Sequence, residues 1–388
     1  GKDTRRSSDM LESALVAGIC SAGAQAILAG VIPTPAVACL VRKYGCDAGV
    51  VISASHNPAE FNGIKFFNSE GYKLPDETED RIERIILDAA EGIPSPEGDQ
   101  VGTVHRLESA VEDYVGYAIQ TIKTDLAGLR IALDCANGAA SVTSPEAIKR
   151  LGAEVLVINN QPDGININRG CGSTHLDMLK RFTLENKCHV GLAFDGDADR
   201  VLAVDENGCL VDGDHMMAII GLDLKNKGLL AHNTIVATVM SNMGFDEMAR
   251  NNGLNIIKAP VGDRYVLEKM LEGGFVLGGE QSGHIIMTMH NTTGDGLITA
   301  LKLLSVLRES GRKLSELNSI MKDYPQVLRN ARVSNDKKYN YREDPVIAEH
   351  CTRLEQAFHG EGRVLIRPSG TEPLVRVMIE GKDQDYIT

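Results

Sequence analysis

The chain has 388 residues, 43% of them apolar, and a formal net charge of −13. That length exceeds what one hydrophobic core organises, so roughly two to four domains are expected. No apolar run approaches the ~20 residues of a membrane-spanning helix. The acidity argues against a nucleic-acid partner, although a local basic pocket for a small phosphorylated molecule is still allowed. The 8 cysteines show neither a CxxC pair nor a Cys/His metal spacing, and read as reduced, packed thiols. Gly1 to Ser7 lacks an initiator Met and the apolar core of a signal peptide. The expectation is a cytoplasmic protein whose numbering begins inside a longer chain.

In chain order, apolar strand-like runs alternate with helical patterns, the mark of α/β units around largely parallel sheets. The first unit (1–124) reads as a helix at 10–28, a turn at 30–35, a helix at 36–43 and a strand at 48–53. An acidic helix at 76–87, a Gly/Pro/Glu-rich linker at 92–102 and a helix near 108–123 complete it. The second (125–228) carries strands at 130–134, 154–159 and 190–194 and a helix at 144–151. It also has a long polar loop at 163–174, and a hairpin pairing 200–204 with 209–211 across Asn207-Gly208. The third (229–332) has strands at 234–237, 255–258 and 275–278 and helices at 264–272 and 294–308. The tail (333–388), with a helix at 345–358 and strands at 363–367 and 374–380, reads as a smaller α+β domain.

Four polar loops each follow a strand. Ser53-Ala54-Ser55-His56-Asn57-Pro58 places Ser55 at a strand's C-terminal end, where open α/β sheets bind ligands; alone, it reads more readily as small polar residues filling a turn. Asp195-Gly196-Asp197-Ala198-Asp199-Arg200 sets three carboxylates at alternate positions, and an all-oxygen set suits Mg²⁺. A calcium loop is rejected, because its sixth position requires Gly and holds Arg200, and its flanks read as strands. A solvated acidic turn is the plainer alternative. Gly278 to His284 joins backbone freedom to Glu280, Gln281, Ser282 and His284, a mixture that suits sugar hydroxyls. Arg367-Pro368-Ser369-Gly370-Thr371-Glu372-Pro373, with Arg376 on the returning strand, offers a cradle for a phosphate dianion; otherwise it is a hairpin turn with surface arginines. A hydroxyl nucleophile, a metal site, a polyol reader and a phosphate clamp meet in one chemistry, phosphoryl transfer to and from a phosphorylated sugar.

In this order the four motifs resemble those of the α-D-phosphohexomutases, over essentially the whole chain. Asn62 to Phe67, Cys171 to His175 and the Glu280 loop are most similar to the family's bacterial amino-sugar branch. The resemblance implies three consecutive mixed-sheet α/β domains plus a smaller C-terminal α+β domain around a central cleft, bearing in turn the phosphoserine, metal, sugar and phosphate sites. It implies that Ser55 is carried as phosphoserine and completes a Mg²⁺ site with Asp195, Asp197 and Asp199, beside Arg200. It also implies interconversion of glucosamine 6-phosphate and 1-phosphate, with a hexose 1,6-bisphosphate as intermediate and activator. Glu280, Ser282 and, more remotely, Arg264 are expected at the sugar, and Arg367, Ser369, Gly370, Thr371 and Arg376 at the non-reacting phosphate. Lys65, His56 and His284 compete as general acid/base; Lys65 is favoured by analogy, and burial near cations is expected to lower its pKa. Family members carry a Gly-Thr-Asp-Gly-x-Arg-Gly type motif upstream of where this chain opens, and the final domain is expected to be clipped. A homodimer stays open. The competing functions are a phosphomannomutase or phosphoglucomutase, a metal-dependent sugar phosphatase, and a non-catalytic sugar-phosphate binder.

Overall fold

The computed structural model describes residues 1–87, 94–369 and 373–388. The chain divides into two compact units, one of Gly1–Met240 with Gly253–Ile320, the other of Ser241–Asn252 with Met321–Thr388. Gly92 and Ile93 of the expected linker, and Gly370 and Thr371 of the expected cradle, lie outside the described residues.

The first unit opens with α1 (Arg6–Ser21), β1 (Ala26–Leu28), α2 (Thr34–Tyr44), β2 (Ala48–Ile52), β3 (Ile64–Asn68) and α3 (Asp76–Leu87), then β4 (Val104–Arg106) and α4 (Ala110–Ile119). The single helix expected over 10–28 is two elements. The apolar, Ala-rich run does not distinguish them, but Gly23 sits at φ 86 and ends the helix before β1. β1 pairs in parallel with β4, and β2 pairs antiparallel with β3 in a register that sets Val51 opposite Lys65. Lys2 bridges in parallel to both Val31 and Ile52.

β5 (Arg130–Asp134), α5 (Ser144–Arg150), β6 (Glu154–Ile158), α6 (Asp177–Glu185), β7 (Val190–Phe194), β8 (Val201–Asp205), β9 (Leu210–Val211) and α7 (Gly213–Asn226) follow. They include a five-stranded sheet of order β6-β5-β7-β8-β9. The Asn-Gly hairpin forms as expected, with Ala203 opposite Val211. Every residue of β7 is buried, as a central strand covered on both faces requires. Leu179 and Phe182 of α6 pack on Ala132, Ala193 and Val204.

β10 (Thr234–Thr238), α8 (Met243–Asn251), β11 (Asn255–Ala259), α9 (Asp263–Gly273), β12 (Leu277–Gly279), β13 (Ile285–Met287), α10 (Gly296–Ser310) and α11 (Leu314–Asn318) continue the chain. Their sheet runs β11-β10-β12-β13, with Val266 and Met270 of α9 buried against Val236, Ala259 and Ile286.

The second unit holds α8, β14 (Gln326–Arg332), α12 (Pro345–Phe358), β15 (Gly362–Pro368), β16 (Leu374–Gly381) and α13 (Gln384–Ile387), with sheet order β14-β16-β15. Its fully buried Glu380 accepts from Arg363, Gln326 and the Met243 amide. Among the described residues no helix is long and apolar enough to cross a membrane.

Candidate active site

The Ser55 loop leaves the C-terminal end of β2, and the acidic loop leaves the C-terminal end of β7, which lies parallel to β5. Gly196 lets the two loops touch, since a Cβ there would stand 2.6 Å from the Ser55 carbonyl oxygen. Ser55 and Ala198 both hold left-handed backbone, at φ 49 and φ 55, a conformation that persists in non-glycine residues only where surroundings enforce it.

The Ser55 hydroxyl donates to Asp195 Oδ2 at 2.5 Å. Asp195, Asp197 and Asp199 are buried, each offering an oxygen within 4.8 Å of the others, and this is the only such cluster among the described residues. Lys65 Nζ lies 2.6 Å from Asp197 Oδ2 and 3.7 Å from Asp199 Oδ2. Thr34, which the sequence reading missed, donates its hydroxyl to Asp197 Oδ2 at 2.6 Å and its amide to the Asp197 carbonyl. The Arg200 amide donates to Asp195 Oδ1, and its guanidinium lies 3.0 Å from His56 Nδ1, itself 3.5 Å from the Ser55 hydroxyl.

Burial, then the charges of Asp199 and Asp197, push the Asp195 carboxyl well above the usual carboxylate range. Burial alone would raise Asp199 too, but Lys65, His284 and Arg200 hold it well below. The lowered pKa expected for Lys65 is not found: burial is the largest single influence and acts downward, but the carboxylates of Asp197 and Asp199 outweigh it and raise the pKa above the usual lysine value. His56 is pushed below its usual value by burial and by Arg200. Oδ1 of Asp197 and of Asp199 are buried with no hydrogen-bond partner among the described residues. A cation satisfies that arrangement of orphaned, clustered oxygens, and the donor set fits a hard, oxygen-seeking ion.

His284 is buried, with Nδ1 3.6 Å from Asp199 Oδ2 and Nε2 accepting from the Gly294 amide at 3.1 Å. Glu280 accepts from the Gly262 amide and, more weakly, from the Ser282 hydroxyl. Arg264 is engaged by Asp76 and Glu268 at the surface. In the second unit, Arg367 stands directly opposite Arg376 across β15 and β16, so both side chains project from one face of that sheet. The Ser369 amide donates to the Leu374 carbonyl, and Lys338, not singled out from sequence, donates to the Ser369 carbonyl.

Models of phosphoglucomutase/phosphomannomutase match throughout: alpha/beta/alpha domain I at residues 1–92, domain II at 111–208, domain III at 212–324 and the C-terminal domain at 328–388. The chain belongs to this family, the α-D-phosphohexomutases, and is an isomerase of that class. A phosphoglucosamine mutase from Acetivibrio thermocellus is 64% identical over 387 residues, spanning 100% of this chain and 86% of the relative. One from Ruminiclostridium cellulolyticum is 64% identical over 388 residues, with the same coverage. Among solved structures, a phosphoglucomutase/phosphomannomutase family protein from Burkholderia thailandensis shares the fold at a TM-score of 0.83 and 22% identity, covering 100% of this chain and 85% of that one.

Proposed function

We propose that this chain interconverts glucosamine 6-phosphate and glucosamine 1-phosphate through a phosphoryl group carried on Ser55, supplying precursors of amino-sugar nucleotides and cell wall. One observation carries the reading: a strained serine donates its hydroxyl at 2.5 Å to a buried aspartate triad. The full-length identity to phosphoglucosamine mutases supports the choice of substrate.

In the forward transfer the bond from phosphorus to Ser55 Oγ breaks and a bond to sugar O1 forms. The O1 proton passes to a base, and a proton returns to Oγ, leaving the hydroxyl that donates to Asp195. The 1,6-bisphosphate then reorients, and Oγ takes the phosphoryl group from O6 by the reverse exchange. Mg²⁺ held by Asp195, Asp197 and Asp199 would supply charge neutralisation and polarise the phosphorus for attack.

Lys65 is assigned the proton exchange: its ammonium, 2.6 Å from Asp197 within the carboxylate cluster, donates the proton that returns to Oγ, and the amine so formed takes the O1 proton. Arg200 adds positive charge beside Ser55, and its guanidinium faces the lone pair of His56 Nδ1, which makes His56 a brace for the loop. His284, held between Asp199 and the Gly294 amide, orients Asp199. We assign Glu280 and Ser282 to the sugar hydroxyls, with Arg264 as a further contact, and Arg367, Ser369, Gly370, Thr371 and Arg376 to a phosphate. The corresponding domains are 1–124, 125–228, 229–332 and 333–388. A hexose 1,6-bisphosphate is the proposed activator, and the 8 free thiols support a reducing, cytoplasmic setting.

The test is intact mass with activity on the full chain. One phosphoryl adduct is expected, lost in Ser55→Ala together with conversion of glucosamine 6-phosphate. Full mutase activity in Ser55→Ala refutes the mechanism, and release of inorganic phosphate in place of the 1-phosphate identifies a phosphatase. Glucose and mannose phosphates as rival substrates set the specificity.

A further inference from the structure

The opening residues Asp3 and Arg5 have no part in the reaction as described, yet both are buried to within 2% of complete enclosure. An aspartate–arginine pair taken out of water is a poor source of stability, because desolvation offsets most of its attraction. What the pair holds is specific. The Arg5 guanidinium spends all five N–H groups: Nε on Asp3 Oδ2 at 2.9 Å, and one terminal nitrogen on the carbonyls of Ser55 at 3.0 Å and Asn57 at 2.8 Å. The other terminal nitrogen serves the carbonyls of Phe61, at 3.0 Å, and Pro58. All four carbonyls belong to the loop that carries Ser55.

Asp3 completes a ring. Its Oδ2 also accepts from the Ser53 hydroxyl at 2.6 Å, and that hydroxyl oxygen accepts the Ser55 amide at 3.0 Å. The N–H and the C=O of Ser55 therefore both return to one ion pair, the first through Ser53 and the second through Arg5. From the segment between β6 and α6, Asn168 donates to the same two carbonyls, Ser55 at 2.9 Å and Asn57 at 3.0 Å. The residue so gripped has φ 49, a left-handed backbone that a serine keeps only when its surroundings over-determine it.

We propose that Asp3 and Arg5, with Ser53 and Asn168, are positioning residues that fix the Ser55 peptide so that Oγ keeps one aim while its charge changes. The inference rests on Ser55 being the phosphoryl carrier. At each turnover that side chain gains and loses a phosphoryl group of about −1.5 to −2 charges, beside three carboxylates. Without a brace the loop relaxes away from the acidic cluster, out of line for transfer, where a misplacement of about 1 Å can cost on the order of 10²-fold in rate. Lysine cannot substitute, since it brings a point charge with three donors in place of a planar fork of five.

The experiment uses the full chain with Arg5→Lys, Ser53→Ala and Asn168→Ala, and Tyr114→Phe as a buried control whose hydroxyl donates to Asp295. Intact mass follows the rate at which glucose 1,6-bisphosphate loads Ser55; kcat, KM for glucosamine 6-phosphate and the thermal midpoint are measured alongside. Arg5→Lys is expected to slow loading and kcat by roughly 10- to 100-fold with KM within about twofold, and the two alanine variants by smaller factors in the same pattern. Tyr114→Phe lowers the midpoint and leaves loading unchanged. If Arg5→Lys does not fold, Ser53→Ala and Asn168→Ala decide. Wild-type loading in the folded variants, or a loss of loading in the control as large as theirs at an equal fall in midpoint, overturns the brace while Ser55→Ala stays inactive. An active Ser55→Ala removes the carrier itself, and the brace falls with it.

Discussion

Asp195 shows what a single residue here gives up in stability. It is fully buried, one of its oxygens lies within 4.8 Å of one each from Asp197 and Asp199, and Lys65, Arg200 and the imidazole of His284 face the three. Asp195→Asn keeps the side chain's shape and an acceptor for the Arg200 amide, but deletes one of three mutually repelling charges. In EDTA the variant is expected to be more stable than the parent by roughly 1–3 kcal/mol, from urea midpoints, because an uncompensated buried charge is the costlier state. Its kcat should fall by at least about 10²-fold, since the metal loses a ligand. Equal or lower stability in EDTA means that the neighbouring cations already cancel the repulsion. At this scale the motif residues were legible, because Ser55, the aspartates and Arg200 sit in short polar runs directly after strands. Arg5, Thr34 and Asn168 were not. Arg5 acts on Asn57 across 52 positions, and Thr34 on Asp197 across 163, separations that no local pattern encodes.

At the scale of elements, α10 shows how a helix start joins separate parts of the first unit. Its N-cap Asp295 accepts from the Ile298 amide at 2.9 Å, from the Tyr114 hydroxyl of α4 at 2.8 Å and from Asn291 Nδ2 at 2.9 Å, all out of water. Tyr114→Phe removes one of these bonds while the cap itself survives, so a loss of about 1–1.5 kcal/mol is expected from chemical denaturation, with kcat unaltered. Asp295→Ala should cost more, roughly 2–4 kcal/mol, since it uncaps the helix, removes the acceptor of the buried Tyr114 hydroxyl and takes one of two acceptors from Asn291 Nδ2, which keeps the Pro35 carbonyl. A Tyr114→Phe cost as large as that of Asp295→Ala would locate the stabilisation in the inter-helix bond alone. Elements were legible where their periodicity met a boundary signal: the fully buried β7, the Asn-Gly hairpin, and α9 and α12, found within about a residue of their expected ends. α7 escaped because ten of its residues are buried, so no polar face marks the helical period. β1 and β4 escaped because three residues are too few for alternation to register.

At the scale of the whole molecule, two compact units need not unfold as one, and a ligand that binds only the folded form of one of them stabilises that one alone. All three aspartates belong to the first unit, and the second holds Arg367, Ser369 and Arg376. Scanning calorimetry of the full chain should therefore resolve a transition that moves up with Mg²⁺ and another that does not. A site filled at 100 times its dissociation constant contributes about 2.7 kcal/mol to the unit that contains it. Asp197→Asn is the sharper arm, because Oδ1 of Asp197 is a buried oxygen with no hydrogen-bond partner among the described residues, and neutralising it weakens the site. The Mg²⁺-dependent shift should shrink in that variant while the second transition stays where it was. A shift of undiminished size in Asp197→Asn would place the ion elsewhere. A shift of both transitions together would show that the two units melt as one cooperative body, and that the division by contacts has no thermodynamic counterpart.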